Sequence, residues 1–468
     1  METRETATSE IDIPRLVIAG TSSGVGKTTI TVGLCRALQA RGLKVALFKC
    51  GPDYLDPTYH RRVAGGPSHN LDGWMMGRDA AVDTFVRAAR GADIALIEGM
   101  MGLYDGASPT GEEGSTAELA RWLAAPVLLV VDASGMARSL AALVRGFAVF
   151  DPALRLAGVA CNLAGGRGHL DLLRTALAAA SLPPLLGGLT KATELAFPER
   201  HLGLRTAASD AVPEALFEAW GARVAAGFDL EGLWQVARSA PPLAVPTSDL
   251  VSAPRSQRGR CRIGLALDDA FHFYYADNLR RLESLGAELV PFSPVGDTTL
   301  PPLDGLYLGG GYPEAHAEAL TANQSMRAQI AALAARGRPI YAECGGLMYL
   351  SSAIRTLDGR RHPMVGLIPA EAVMSVRLEA LGYVEVELQT PSPLGAAGTR
   401  FRGHQFRYSW LTEPTATIEL AYSVRRRRGQ ESFREGYRVD NVVASYVHAH
   451  WASNPSVAEA FVAACARP

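Results

Sequence analysis

The run Arg15-Leu16-Val17-Ile18-Ala19-Gly20-Thr21-Ser22-Ser23-Gly24-Val25-Gly26-Lys27-Thr28-Thr29 decides the fold. Its first five residues read as a buried strand, the glycines and hydroxyls as a loop, and the chain from about Gly26 to Arg41 as a helix. A loop in that position aims backbone N–H groups and the positive helix end at one point, where phosphate fits. Lys27 is then placed to reach the terminal phosphates of a nucleotide, and the Thr28 hydroxyl to bind Mg²⁺. Gly24, Gly26, Lys27, Thr28 and Thr29 are accordingly the expected nucleotide contacts. The ordinary spacing of such loops would put its first glycine at Thr21, whereas Gly20 comes one residue early. An ordinary glycine turn is the alternative, and the strand before it and the helix after it weigh against that.

Outward from this loop, short apolar runs alternate with helical stretches. Strands are expected at 43–48, 94–97, 126–131 and 156–161, which implies a parallel sheet covered on both faces. Two acidic clusters follow strands of this set: Lys49-Cys50-Gly51-Pro52-Asp53-Tyr54-Leu55-Asp56-Pro57-Thr58-Tyr59-His60 and Glu98-Gly99-Met100-Met101-Gly102-Leu103-Tyr104-Asp105-Gly106. In open parallel sheets ligands bind beyond the carboxyl ends of the strands, the edge that also carries the glycine loop. Carboxylates there repel a nucleotide unless a divalent cation intervenes, so Asp53 and Glu98 are the expected Mg²⁺ ligands. Asp56 or Asp105 is left to face a second substrate. Turn-forming Asp beside Gly and Pro is the plainer alternative for each.

The periodicity fails over 241–260, a proline- and serine-rich stretch that reads as a linker between a unit at 14–240 and a second at 261–460. Strands resume at 262–267, 287–291, 305–308 and 339–342, with a helix near Phe271 to Leu285 and a last helix over 456–466. Beyond residue 364 the segments shorten into hairpins. Within this half, Ile340-Tyr341-Ala342-Glu343-Cys344-Gly345-Gly346-Leu347 puts a cysteine on a sharp strand-to-helix turn, which exposes a nucleophile and favours its thiolate. The turn Gly309-Gly310-Gly311 offers free N–H groups to an oxyanion, and Ser445-Tyr446-Val447-His448-Ala449-His450 supplies the base. His448 is the expected base and His450 a secondary candidate. A lone cysteine is more often a core residue; the elbow, the oxyanion turn and the late histidine together argue for chemistry. Cys344 and His448 are therefore the catalytic candidates, with Gly310, Gly311 and Gly345 around the oxyanion.

Composition narrows the classes. Of 468 residues, 46 are basic and 47 acidic, net −1, which disfavours a nucleic-acid partner held by a basic face. The run Arg425–Arg428 reads as a solvated hairpin tip. Hydrophobic residues at 48% and charged residues at 20% exclude bulk disorder. Six cysteines in so long a chain fit a reducing compartment rather than a disulfide framework. The polar start METRETATSE and the lack of any apolar run near ~20 residues point to a cytoplasmic chain without a membrane segment.

The second half resembles class I glutamine amidotransferases, most closely the cobalamin-type subgroup, which lacks the acid that usually follows the histidine. In this chain that place holds His450. The glycine loop resembles the longer loop of dethiobiotin-synthetase-like enzymes. Ser22 stands where partition ATPases of the same superfamily carry an extra lysine, which weakens that rival reading. Asn162 resembles the adenine-contacting Asn of the superfamily. Over about 14–457 the chain resembles the cobyrinate (hydrogenobyrinate) a,c-diamide synthase family, on the motifs GTSSGVGKTT, KCGPDYLDPTYH, EGMMGLYDG, FPERHLGL at 197–204, DDAFHFYYADNL, YLGGGYPE, ECGGLMYL and ASYVHAH. The family's usual GHEFHYS is altered here to Gly403-His404-Gln405-Phe406-Arg407-Tyr408-Ser409.

The resemblance implies an α/β chain of two three-layer domains. The first is a P-loop NTPase with a parallel sheet, the second a class I glutamine amidotransferase with a flavodoxin-like mixed sheet. It further implies ATP as co-substrate, Mg²⁺ as cofactor, and amidation of a corrin acid's a- and c-acetates through an acyl phosphate. Tyr54, Asp56 and Asp105 match positions the family uses near substrate and phosphate. The expected partners are the small molecules corrinoid acid, glutamine and ATP, without nucleic acid or membrane, and with a homodimer as the candidate assembly.

Overall fold

The computed structural model describes residues 8–192, 212–246, 260–429 and 431–467, so the FPERHLGL stretch at 197–204 lies outside the described residues. The chain divides into two compact units, Met1–Val251 and Ser252–Pro468.

In the first unit seven strands form one sheet: β1 (Arg15–Gly20), β2 (Val45–Cys50), β3 (His69–Leu71), β4 (Ile94–Glu98), β5 (Val127–Asp132), β6 (Leu156–Ala164) and β7 (Leu185–Thr190). Their order is β3-β2-β4-β1-β5-β6-β7, and every pairing is parallel. Alternation along each strand sends residues to opposite faces. Leu16, Ile18 and Leu47 pack with the helices Lys27–Gln39 and Glu214–Gly227. Phe48 faces the other way, its ring 5.1 Å from that of Phe85. The order reverses at β1, so the loop after β1 and the loops after β2 and β4 open on one edge. Inside the stretch read as a linker, Leu243–Pro246 pairs antiparallel with Thr8–Ile11.

In the second unit five parallel strands run in the order Ala287–Phe292, Cys261–Ala266, Gly305–Leu308, Ile340–Glu343, Val442–Ser445. The sheet then continues antiparallel through Ser432–Val439, Glu419–Arg426, Ala380–Leu388 and Arg400–Arg407 to His448–Ala449. Leu306, Leu308, Ile340 and Ala342 form one core with the helix Gln324–Ala335. Tyr307, Tyr341 and Val443 form another with the helix Ser456–Cys465. Both units are thus α/β layered folds, the second with a mixed sheet.

Three local expectations change. The segment 271–285 is not one helix: Phe271–Phe273 is a short strand antiparallel to Gly310–Gly311, and the helix begins at Ala276. Strands β3 and β7, absent from the sequence reading, complete the first sheet, β7 carrying Gly187 and Gly188. Of the Arg425–Arg428 run, Arg427 and Arg428 lie in the exposed hairpin turn, whereas Arg425 and Arg426 end the strand before it, Arg425 paired with Glu385 and Arg426 5.4 Å above the Phe433 ring.

Candidate active site

The glycine loop opens directly into the helix Lys27–Gln39, whose N-cap is Gly26 at φ 94°. A Cβ at Gly26 would stand 2.1 Å from the Asn162 amide nitrogen, so the position needs glycine both for its left-handed backbone and for space. Asn162, on β6, donates from Nδ2 to the Val25 carbonyl at 3.0 Å. It therefore braces the loop itself, a role its sequence position does not disclose. Lys27 Nζ donates to the carbonyls of Ser22 at 2.9 Å and Met101 at 2.6 Å. Burial, helped by the nearby Lys49 charge, lowers its pKa to about 8. Gly24 lies at the loop's outer turn, and Thr29 follows Thr28 in the first turn of the helix.

Thr28 donates its hydroxyl to Glu98 Oε1 at 2.7 Å, so the loop and the end of β4 meet. Glu98 is fully buried. Its Oε1 also accepts from Lys49 Nζ at 3.0 Å, and its Oε2 lies 2.7 Å from His60 Nε2. Lys49 Nζ reaches Asp56 Oδ2 at 2.6 Å as well. Burial alone would raise the Glu98 carboxyl and lower the Lys49 ammonium; their mutual attraction, with His60 beside Glu98 and Asp56 beside Lys49, reverses both shifts. One ammonium cannot neutralise two buried carboxylates. Asp56 takes the excess: burial, then the Asp53 charge, raises it to about 7 against the pull of Lys49.

The remaining acidic candidates are held in turns. Asp53 Oδ1 accepts from the backbone N–H of Leu55 at 2.7 Å and of Asp56 at 2.9 Å, which starts the helix Asp56–Ala64. Asp105 Oδ2 accepts from Gly102 N at 2.8 Å and is exposed. Tyr54 is half-buried beside Asp53 in the chain. Lys49 and His60, unassigned in the sequence reading, sit at the centre of this charge cluster. The visible hint was a lysine ending an otherwise apolar strand.

Among the described residues no group of three or more His, Cys, Asp or Glu side chains is arranged to hold a metal ion. Mg²⁺ in nucleotide sites takes one or two protein oxygens and fills its other positions with water and phosphate. The Thr28 hydroxyl and the Glu98 carboxylate, already in contact, fit that requirement. Asp53, with one oxygen engaged by its own turn, has only its second oxygen to offer.

In the second unit Cys344 ends the strand Ile340–Glu343 and caps the helix Gly345–Leu350 at φ 48°, ψ −99°. That is a strained conformation for a residue with a side chain. Its N–H donates to the Ser445 carbonyl at 2.7 Å, which ties the elbow to the strand leading to His448. His448 lies close enough to Cys344 to feel its charge. Burial alone would lower the His448 pKa, but Cys344 and Glu343 outweigh it and raise it to about 9.

The glycine turn packs against both groups. A Cβ at Gly310 would stand 2.5 Å from His448 Cε1, and one at Gly345 would stand 3.0 Å from Gly311 N. Cys344, His448, Gly310, Gly311 and Gly345 therefore converge. His450 does not join them: its ring lies 4.7 Å from that of Tyr275, and its Nδ1 accepts from Ala452 N at 3.3 Å. Burial lowers the His450 pKa to about 4, so it is neutral. His404, in the altered GHQFRYS segment, pairs across the sheet with His448; the Arg407 guanidinium lies 4.5 Å over the Tyr446 ring. The group that the sequence reading missed here is Glu343, whose Oε2 stands 3.7 Å from His448 Nδ1.

Comparison with known proteins supports both halves. Residues 16–204 match the CobQ/CobB/MinD/ParA nucleotide binding domain, and residues 262–456 match the CobB/CobQ-like glutamine amidotransferase domain. The chain is 51% identical to a cobyrinate a,c-diamide synthase of Leptospira interrogans, over 98% of this chain and 99% of that protein. It is 51% identical to one from Syntrophotalea carbinolica, over 97% and 98%. A hydrogenobyrinate a,c-diamide synthase of Streptomyces coelicolor is 44% identical, over 97% and 98%.

Proposed function

The chain belongs to the cobyrinate a,c-diamide synthase family, and from that premise we propose that it converts the a- and c-acetate carboxylates of cobyrinate or hydrogenobyrinate to amides. The reaction uses ATP, with glutamine or ammonia as the nitrogen source. The proposed division of labour places the ligase in 14–240 and the glutaminase in 261–460. Within the chain, the reading rests on Cys344 and His448 meeting at an elbow while Thr28 and Glu98 meet at a phosphate loop.

In the glutaminase step the Cys344 thiolate attacks the side-chain amide carbon of glutamine. The N–H groups of the Gly310, Gly311 and Gly345 region face the oxyanion. His448, protonated, gives its proton to the departing nitrogen, which leaves as ammonia with formation of a γ-glutamyl thioester. Water then attacks the thioester, His448 takes a proton from it, and glutamate leaves as the thiol is restored.

In the ligase step a corrin carboxylate attacks the γ-phosphorus of ATP and ADP leaves. A carboxylate is a poor acyl donor to an amine; the resulting acyl phosphate has a good leaving group, and ammonia displaces phosphate to give the amide. Lys27 exchanges its present carbonyl partners for phosphate oxygens, and Gly24, Gly26 and Thr29 contribute to the cradle. Asn162 keeps the loop in shape and borders the nucleotide base. Thr28 and Glu98, with Asp53 as a further candidate, would hold Mg²⁺, which would supply neutralisation of the phosphate charge. Tyr54, Asp56 and Asp105 face the corrin acid. Lys49 holds Asp56 and Glu98 together and offsets part of the negative charge that stands beside the polyphosphate. A cytoplasmic location and a homodimer complete the proposal; light scattering measures the latter.

Replacing the nucleophile tests the division of labour. Cys344→Ala is expected to abolish amidation driven by glutamine and to leave amidation driven by ammonium salts near the wild-type rate. Loss of both would contradict it.

A further inference from the structure

We propose that Glu343, the residue immediately before the nucleophile, is the positioning acid of His448 and completes the constellation from the neighbouring strand. This rests on the glutaminase reading of Cys344 and adds a residue to it. In this chain the place two residues after the base holds His450, which is turned toward Tyr275 and is neutral. His448 therefore receives no carboxylate from its own strand.

The strand Ile340–Glu343 supplies one instead. Along it Ala342 belongs to one core and Tyr341 to the other, so by alternation Glu343 shares the Tyr341 face. There its Oε1 accepts from Tyr341 OH at 2.7 Å and from Ala449 N at 3.0 Å, and its Oε2 accepts from Tyr307 OH at 3.0 Å. The bond to Ala449 N fixes the carboxylate to the residue after His448. Parallel pairing of Glu343 with Ser445 sets that register.

Glu343 is fully buried, and among the described residues its only ion-pair partner is His448, at 3.7 Å between Oε2 and Nδ1. A buried carboxylate held only by neutral donors is left with its charge uncompensated, and the protonated His448 imidazole facing it is the group that compensates it. The 3.7 Å separation is an ion-pair distance; catalytic contacts of this kind are often long before substrate binds and tighten afterwards. A carboxylate facing Nδ1 holds the proton on that nitrogen, leaving Nε2 to exchange a proton with sulfur. The titratable groups facing His448 are Cys344 and Glu343 from the elbow strand and His404 from the strand Arg400–Arg407. Of these only Glu343 is a carboxylate.

The test compares full-length wild type with Glu343→Gln and Glu343→Asp. It follows glutamine hydrolysis, ammonia-dependent amidation and the pH dependence of Cys344 alkylation by iodoacetamide. Glu343→Gln is expected to lower kcat for glutamine by about 10²-fold or more while KM and the ammonia reaction hold. Its alkylation curve should move to higher pH, because a less basic His448 stabilises the thiolate less. Glu343→Asp, which keeps the charge, should recover part of kcat and part of the curve. A Gln variant within about threefold of wild type in kcat, with an unmoved curve, would overturn the proposal. So would parallel loss of the ammonia reaction, or an Asp variant no better than Gln, since either marks a merely structural carboxylate. Failure of the underlying reading looks different: wild type would then show no Cys344-dependent glutamine hydrolysis at all.

Discussion

Three buried histidines in the second unit show how one residue type is tuned by its surroundings. His404 and His450 are held neutral by burial, with pKa values lowered to about 3 and about 4, while His448 is raised to about 9 by Cys344 and Glu343 acting against burial. The sign of the stability effect follows from which state binds more protons. Below the ordinary histidine value of about 6.5 the unfolded chain protonates at positions 404 and 450 while the native chain does not, so stability falls as pH drops toward about 3. His448 acts oppositely: its contribution is complete below about 6.5 and is lost as pH rises through about 9. Denaturant midpoints measured from pH 3.5 to 10 should therefore show an acid limb that flattens in a His404→Gln, His450→Gln double variant, by up to about 1.4 kcal/mol per pH unit for each histidine. An unchanged acid limb would contradict the assignment. At this scale Cys344, His448, Lys27 and Thr28 were legible because few other residue types do their chemistry at that spacing. Glu343 and His60 were not, since a carboxylate or imidazole in a motif does not reveal which partner it meets across the sheet.

The elements that carry the phosphate-loop and nucleophile candidates share one construction, a parallel strand running through a glycine turn into a helix. It occurs at β1 with the phosphate loop and at Ile340–Glu343 with Cys344. Such turns were readable because an apolar run followed by clustered glycines has few structural alternatives. The misread stretch was 271–285, whose aromatic start suits either a helix face or a strand. What decides it is tertiary: Phe271–Phe273 pairs antiparallel with Gly310–Gly311 and thereby supports the glycine turn. The strand Leu185–Thr190 escaped because two glycines interrupt its apolar run. At Gly310 a Cβ would collide with His448 Cε1 at 2.5 Å. Gly310→Ala is accordingly expected to lower glutamine hydrolysis by roughly 10²-fold, a loss typical of a displaced oxyanion donor or base, while ammonia-dependent amidation persists. Equal loss of both reactions would show that the turn supports the whole fold rather than the glutaminase site.

At the scale of the molecule, composition excluded more than it identified: a balanced charge and a high apolar fraction describe many soluble enzymes. Two motif sets on one chain were more informative, because ammonia release and carboxylate activation make a reaction together that neither makes alone. The chain forms two compact units, Met1–Val251 and Ser252–Pro468, and the two family matches cover 16–204 and 262–456. Which corrin acid is used depends on whether cobalt is already present, and no residue type announces that. The central claim is that this chain joins glutamine nitrogen to corrin carboxylates at the expense of ATP. The most direct measurement is mass spectrometry of cobyrinate and, separately, hydrogenobyrinate after incubation with the full-length protein, Mg²⁺, ATP and glutamine labelled with heavy nitrogen in its amide. The account expects an a,c-diamide carrying the label in both new amides, formed only when ATP is present. Turnover of ATP and glutamine with both acids recovered unlabelled and unamidated would contradict it.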